Sequence, residues 1–432
     1  MINVVLPKYF NLVVGDTFQL FYRGVIEAPN PYVYDILALC EKGKNCPRYF
    51  EFTPDCEGDY ELTINVYSAE KSLLGSATTT LRARIAHEPK RPINILCMGS
   101  SGTQNGDWPH EAYRRLTATD GEPKGLGLKN INFVGSKRRG DMGYEGYGGW
   151  VFKTYVTKNP TGVWITCNHD KDPSDQHTIW RDEDGRLWKL ETITKKKLKF
   201  LRLDKTDTTY PAPGTYLTNV ENAVHKEPIK IEKCADEAKT PFYNPEKEAL
   251  DFEWYKEKCA ICGDIDYVFV KLGANEVADS SLPIDFSSDA SIKALCQRTV
   301  ENAKEFIGVM KEAFPRVKIK MLGLKLPSMN GGIGANYGAK LPYCDRYGYV
   351  KFVLELNRSY EALSYDPEYS DFVEFINVSA QFDSEYAFPT VEKPVNTRCK
   401  QTETIGTNGL HPTHEGYLMV GDAAFRSMIN LD

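Results

Sequence analysis

Two hydrophobic rhythms divide the chain. Through residues 1–90 apolar and polar positions alternate singly. Phe18, Leu20 and Tyr22 form one such run, and Tyr60, Leu62, Ile64 and Val66 another, with Glu61, Thr63 and Asn65 between them. A period of two turns one face to a core and the other to water, the pattern of a half-buried strand. Gly15-Asp16, Ala28-Pro29-Asn30-Pro31 and Glu57-Gly58-Asp59 separate the runs with turn-forming residues. Short strands at this spacing predict a small β-sandwich over residues 1–90. His87-Glu88-Pro89-Lys90-Arg91-Pro92 reads as the linker that follows.

From Ile93 the rhythm changes. Apolar, β-rich runs at Ile93–Met98, Asn130–Val134, Ile265–Leu272, Val317–Gly323 and Val373–Val378 alternate with segments of helical period. In Ala290–Phe314 the apolar positions are Ile292, Leu295, Cys296, Ala303, Phe306, Ile307 and Met310; in Tyr347–Leu363 they are Val350, Val353, Leu354 and Leu356. Tyr417–Ile429 closes the chain as another helix. Fully apolar strands alternating with amphipathic helices predict an α/β domain over 91–432. Its core is expected to be a five-stranded parallel sheet with helices on both faces. Residues 152–240 are too long for a simple connection. Thr178–Arg181 and Leu187–Thr192 flank Asp184-Gly185, a hairpin signal, and Lys195–Leu203 adds a third strand. This segment is expected to be a β-rich insertion. Lys195-Lys196-Lys197 reads as a strand edge kept from aggregation by charge, or as an anion-binding patch.

Composition narrows the function classes. The 432 residues, 41% hydrophobic and 26% charged, suit a globular protein of two or three domains. No apolar run approaches the roughly 18 residues of a membrane span. The opening MINVVLPKYF lacks the basic and apolar regions of a secretory leader, so the chain is expected in the cytoplasm if complete and outside if a leader was removed. A net charge of −6 without a long basic face argues against nucleic acid as a partner. Cys97 in a core strand and Cys296 in a helix read as buried thiols, while Cys40, Cys46 and Cys56 lie near enough in sequence for one disulfide. Cys259 and Cys262 form a C-x-x-C with no second pair at zinc-site spacing, so neither a metal nor another cofactor is expected.

The candidate chemistry begins at the end of the first apolar strand. Ile93–Met98 runs into Gly99-Ser100-Ser101-Gly102, and a helix is expected from Asp107 to Leu116. Ligands of open α/β sheets bind at the carboxyl ends of strands. A serine on a turn there can serve as a nucleophile, with the helix N-terminus offering N–H groups to an oxyanion, although serine is also an ordinary helix cap. Three other stretches follow other strands: Gly143-Tyr144-Glu145-Gly146-Tyr147-Gly148-Gly149-Trp150, Gly273-Ala274-Asn275-Glu276, and Asn408-Gly409-Leu410-His411-Pro412. Together they supply a hydroxyl, a glycine N–H, an amide and an imidazole, the set that acyl transfer needs.

In these four blocks the chain resembles the SGNH hydrolase superfamily, the GDSL esterases, from Ile93 to about the C-terminus with residues 152–240 outside. The resemblance implies a flavodoxin-like α/β fold with Ser101 as nucleophile and His411 as base. It also implies an oxyanion hole made by the Ser101 and Gly149 backbones and the Asn275 amide. Gly148-Gly149-Trp150 matches a form found in bacterial members associated with carbohydrate esters, which makes a small-molecule or polysaccharide ester, acetylated above all, the implied substrate. No membrane or nucleic-acid partner is implied. Three positions depart from the pattern. Ser100 stands before the nucleophile and Glu276 in the third block, each where aspartate is usual. Asn408 stands where the acid supporting the histidine is usual. Either a distant carboxylate, such as Asp383 or Glu145, replaces that acid, or Ser101 and His411 work as a dyad with the Asn408 amide oxygen orienting the ring. Trp150, Tyr147 and Tyr144 either line a sugar-binding cleft or pack beside the glycine turn. His110, His169, His177, His225 and His414 read as structural or surface residues. No apolar lid segment argues for a lipase. The competing class is a carbohydrate-binding or surface protein whose active site has lapsed, for which Asn408 is the main support.

Overall fold

A computed structural model describes every residue except 1, 159–161, 172, 195–196, 205–208, 222, 225, 278–283, 331–345, 430 and 432. Most of the Lys195–Lys197 run, and His225, therefore lie outside the described residues. The chain forms two compact units. One comprises Met1–Phe152, Lys256–Asn275 and Ile284–Asp432, and the other Lys153–Tyr255 and Glu276–Pro283.

The first 90 residues are β-rich. Strands β1 (Tyr9–Val13), β2 (Phe18–Phe21), β3 (Asp35–Leu39), β4 (Lys44–Asn45), β5 (Tyr49–Phe52), β6 (Gly58–Tyr67) and β7 (Leu73–Arg84) form two sheets, β1-β7-β6-β3 and β2-β5-β4. Leu12, Leu20, Phe50, Leu62, Ile64 and Leu81 turn inward to one shared core. Tyr22 shares in that core but falls in a 3-10 turn, Tyr22–Gly24, just after β2. Cys40, Cys46 and Cys56 are free thiols, which corrects the expected disulfide. Each is engaged apart from the others: Cys40 packs against the apolar core, the Cys46 N–H donates to the Tyr49 carbonyl, and Cys56 Sγ lies 3.3 Å from the Tyr60 hydroxyl.

The α/β part is built on β8 (Ile93–Gly99), every residue of which is buried. One edge of β8 pairs in parallel with β21 (Tyr267–Lys271), and β22 (Lys318–Leu322) and β23 (Val373–Ile376) continue the sheet in parallel. The other edge is shared. β9 (Ile131–Val134) covers Ile93–Leu96, and β11 (Met142–Gly146) takes over at Met98 and Gly99. Antiparallel β10 (Lys137–Arg139) closes that side. The sheet thus has seven strands where the sequence pattern predicts five. β11 reads MGYEG, with neither alternation nor an apolar run, because close backbone approach rather than side-chain burial places it. A Cβ at Gly143 would lie 2.4 Å from the Gly135 nitrogen, and one at Gly146 would lie 2.4 Å from the Thr103 carbonyl oxygen.

Helices α1 (Asp107–Thr117), α2 (Phe152–Val156), α3 (Phe252–Lys258), α4 (Asp289–Ala313), α5 (Arg346–Tyr365) and α6 (His414–Arg426) complete the chain with an exposed hairpin, β24 (Thr390–Pro394) and β25 (Thr402–Gly406). α1 and α6 share a core with Ile93, Ile95 and Cys97 of β8. Gly421 lets them approach, since a Cβ there would lie 2.6 Å from the Glu111 Cβ. The second unit carries a sheet of β12 (Gly162–Thr166), β13 (Ile179–Arg181), β14 (Leu187–Ile193), β15 (Lys197–Arg202), β16 (Tyr216–Asn219), β17 (Ile229–Lys230) and β18 (Lys233–Asp236), in the order β17-β16-β13-β14-β15-β12-β18. Trp180, Trp188, Leu190, Leu198 and Phe200 fill its core.

A buried ionic network joins the N-terminal strands to α1 and α6. Asp16 accepts from Arg115 of α1 at 2.5 Å and from Arg426 of α6 at 2.8 Å, and Arg115 also pairs with Asp422. Asp16 is 8% exposed, Arg115 1% and Arg426 7%. Removing one member of a buried network leaves charge without a partner in a low-dielectric setting. Asp16→Ala is therefore expected to cost about 3–5 kcal/mol, the range for breaking a buried pair, read from the urea midpoint. Loss in one cooperative transition would mark residues 1–90 as part of the larger core. Loss confined to one of two transitions would mark them as a domain that folds by itself.

Candidate active site

One row of strand pairing places three of the four blocks. Gly146 of β11 lies opposite Gly99 of β8, and Lys271 of β21 lies opposite Gly99 on the other side. Ser101, Gly149 and Asn275 each come within a few residues of that row. Glycine is required at 99, because a Cβ there would meet Thr103 Oγ1 at 2.1 Å and the Lys271 carbonyl oxygen at 2.9 Å. Beyond the row the Tyr147 N–H donates to the Gly99 carbonyl at 3.1 Å, which carries the glycine block to the serine turn. A Cβ at Gly148 would lie 2.5 Å from Gln104 Oε1.

The serine turn is held by its own backbone, and the helix starts at Asp107 as the sequence pattern predicts. Thr103 donates to the Ser100 carbonyl, Gln104 to that of Ser101 and Gly106 to that of Thr103. The helix begins only at Asp107, behind Gly106 at φ +70°. The helix N-terminus is thus not adjacent to Ser101 in the chain, and the N–H groups nearest to it in sequence are those of the turn. Ser101 Oγ lies 2.9 Å from His411 Nε2, so the structure brings together the hydroxyl and imidazole singled out in the sequence. Among the described residues the Ser101 and Gly149 N–H groups donate to no acceptor. Gly149 has φ +80° with open space around its Cβ position, so the left-handed backbone, not crowding, calls for glycine there. Asn275 Nδ2 donates to the Trp150 carbonyl at 3.1 Å. An amide nitrogen carries two hydrogens, so this bond orients the group and leaves one hydrogen over.

His411 sits in the loop between β25 and α6. Asn408 Oδ1 accepts the backbone N–H of Leu410 at 3.0 Å and of His411 at 2.8 Å. It therefore holds the loop and does not receive the imidazole, which corrects the orienting role expected for it. The carboxylates considered as replacements are committed elsewhere. Asp383 is paired with Arg48 at 3.1 Å through both oxygens. Glu145 is buried and accepts from the Ser136 N–H, the Ser136 hydroxyl and the Tyr147 hydroxyl. Among the described residues no group hydrogen-bonds His411 Nδ1. Burial, then the charges of Lys325 and Lys271, hold the imidazole below its ordinary range.

Those two lysines are the site residues that sequence reading missed. Lys271 ends a buried strand, YVFVK, and is itself 9% exposed. A charge closing an apolar strand was the available signal. The aromatic residues separate into two sets. Tyr144 belongs to the core and donates to the Gln104 carbonyl. Tyr147 and Trp150, both half-buried, stack on each other with ring centroids 4.1 Å apart at 19°. Among the described residues no group of His, Cys, Asp and Glu side chains is placed to hold a metal ion. No described helix is long and apolar enough to cross a membrane.

No protein-family model matches the chain, and no curated protein sequence matches it. Solved structures similar to it include a family-two carbohydrate esterase from Clostridium thermocellum in complex with cellohexaose, with 12% identity, 97% of this chain and 93% of that one covered, and a TM-score of 0.27. An acetyl xylan esterase from the rumen bacterium Butyrivibrio proteoclasticus shows 10% identity over 99% of this chain and 94% of its own, with a TM-score of 0.25. A peptidoglycan O-acetylesterase shows 12% identity over 78% and 91%, with a TM-score of 0.22. With TM-scores this low, the functional reading rests on the site itself.

The lowered basicity of His411 has a measurable sign. A base held below its ordinary range stays deprotonated to lower pH. The acid limb of kcat/KM, which reports the free enzyme, is expected to fall below the ordinary histidine value of about 6.5. Asn408→Asp keeps an acceptor for both loop N–H groups and adds a negative charge beside the ring, so the limb should move upward. An unchanged limb would place the charge of residue 408 outside the reach of the imidazole.

Proposed function

We propose that this protein is a serine ester hydrolase of the SGNH type, acting on small acyl esters, chiefly acetyl esters of carbohydrate. The observation that carries the reading is the 2.9 Å contact between Ser101 Oγ and His411 Nε2, with Ser101 and Gly149 N–H groups that donate to no acceptor among the described residues. A serine hydroxyl is a weak nucleophile until a base takes its proton. His411 Nε2 accepts that proton as Oγ attacks the ester carbonyl. The resulting oxyanion is held by the Ser101 and Gly149 N–H groups and the second Asn275 hydrogen. Collapse of the tetrahedral intermediate expels the alkoxide, which takes the proton from His411. Water, deprotonated by the same imidazole, then attacks the acyl-serine and returns the free enzyme. None of these steps calls on a metal or an organic cofactor.

The carbohydrate assignment draws on the Gly148-Gly149-Trp150 block and on the half-buried Tyr147–Trp150 stack, since flat aromatic surface suits a sugar ring. The competing reading, a glycan-binding protein with a lapsed active site, is favoured by the absence, among the described residues, of a carboxylate at His411. A fluorophosphonate probe separates the two. Covalent labelling at Ser101, abolished in Ser101→Ala, supports the hydrolase; folded protein that takes no label supports the binder.

Asn275→Ala is expected to lower kcat for a small acetate ester by roughly 10²–10³, the cost of one lost oxyanion donor. The donor matters most as charge develops on oxygen, so KM should move little. A change in KM alone would make Asn275 a binding or structural residue.

A further inference from the structure

We propose that the ester taken by this site carries a carboxylate close to the scissile bond, as in an O-acylated acidic sugar, and that Lys271 and Lys325 receive it. This inference rests on the esterase reading above and narrows its substrate.

Lys271 projects from the end of β21, beside the turn that carries the nucleophile. Its Nζ lies 3.8 Å from the Cβ position of Gly102, the residue after Ser101. Lys325 approaches from the loop after β22 and donates through Nζ to the carbonyl of Leu410, the residue before His411. The loop bearing it is fixed by Asn357 of α5, whose amide donates to the Leu324 carbonyl at 2.9 Å and accepts the Leu324 N–H at 2.8 Å. The other neighbours of the Lys325 ammonium are the rings of Phe388 and Phe382, with centroids 5.2 and 5.8 Å away. Two ammonium groups thus flank the Ser101–His411 pair.

Buried ammonium groups are ordinarily paired, because an unpaired charge in a low dielectric is costly. Among the described residues neither lysine has a carboxylate partner, and Lys271 makes no hydrogen bond through Nζ. Among the described residues the charged and titratable groups around Lys271 are Lys325, His411 and Tyr417, whose ring shares the Gly102 contact. Burial lowers the Lys271 ammonium to about 8, and burial together with Lys271 pushes Lys325 well below its ordinary range. A site with this imbalance gains from an anion. The same anion corrects the chemistry, since two cations oppose formation of imidazolium at His411 while a carboxylate between them offsets that opposition. The substrate then supplies the negative charge that no described side chain near His411 provides.

The test compares two acetate esters that differ only in charge: an O-acetylated methyl glucuronoside and its glucuronamide analogue, followed by acetate release at pH 7. The carboxylate ester is expected to have kcat/KM higher by about tenfold or more, the value of one well-placed charged contact. The ratio should decline as pH rises through about 8, where Lys271 loses its proton. It should approach one in Lys271→Met, and fall in Lys325→Met should the first variant fold poorly. Equal kcat/KM for the two esters in the wild-type protein overturns the inference while leaving the esterase reading intact. If neither ester is cleaved and Ser101 takes no fluorophosphonate label, the esterase reading itself fails.

Discussion

The site depends on one row of backbone pairing, Gly146–Gly99–Lys271. Neighbouring strands lie about 4.8 Å apart, so three chain segments leave the sheet side by side and at the same level. Each then needs only a short reach to deliver its group: Ser101 from the centre, Gly149 from one side, Asn275 from the other. The row closes only because position 99 has no side chain. Thr103 Oγ1 fills the space that a Cβ would need, and it also accepts the Trp108 indole N–H at 2.9 Å, tying the serine turn to the first turn of α1.

The histidine arrives by a different route. Its loop is held from several directions: Asn408 accepts two of its N–H groups, Ser328 donates to the Gly409 carbonyl, and Lys325 donates to that of Leu410. The Thr413 side chain caps α6 two residues beyond. The far end of that helix carries Arg426 to Asp16 in the N-terminal strands. The imidazole is thus placed by a chain of contacts that begins outside the α/β sheet, which gives residues 1–90 a physical connection to the site.

The electrostatics of the site invert those of an ordinary triad. There, a carboxylate behind the imidazole stabilises the cation that forms as the hydroxyl is deprotonated. Here the Asn408 amide oxygen is committed to the backbone, and two ammonium groups stand near the ring. In the proposed reaction, lysine at 271 favours a developing oxyanion and disfavours a developing imidazolium. The balance between these terms depends on what the substrate brings.

The sequence by itself determined the local elements. Period-two alternation marked the N-terminal strands, and apolar runs marked β8, β9, β21, β22 and β23, because burial of a face or of a whole strand writes itself into residue type. It also singled out Ser101 and His411, 310 positions apart, which the structure brings within hydrogen-bonding distance. Tertiary structure decided what no local pattern encodes. β11 joins the sheet through glycines whose reason is the neighbouring backbone, so its sequence reads as a turn. The start of α1 at Asp107 was legible, but the backbone hydrogen bonds that fold residues 100–106 into the turn were not. Asn408 was legible as a departure from the family pattern, but its acceptors and donors were not, since a side-chain amide three positions from a histidine can face either the ring or the chain. The two lysines were the least legible of all. A lysine reads as surface until the fold shows that β21 ends beside the Ser101 turn, and only the packing of distant segments reveals that no carboxylate among the described residues meets it.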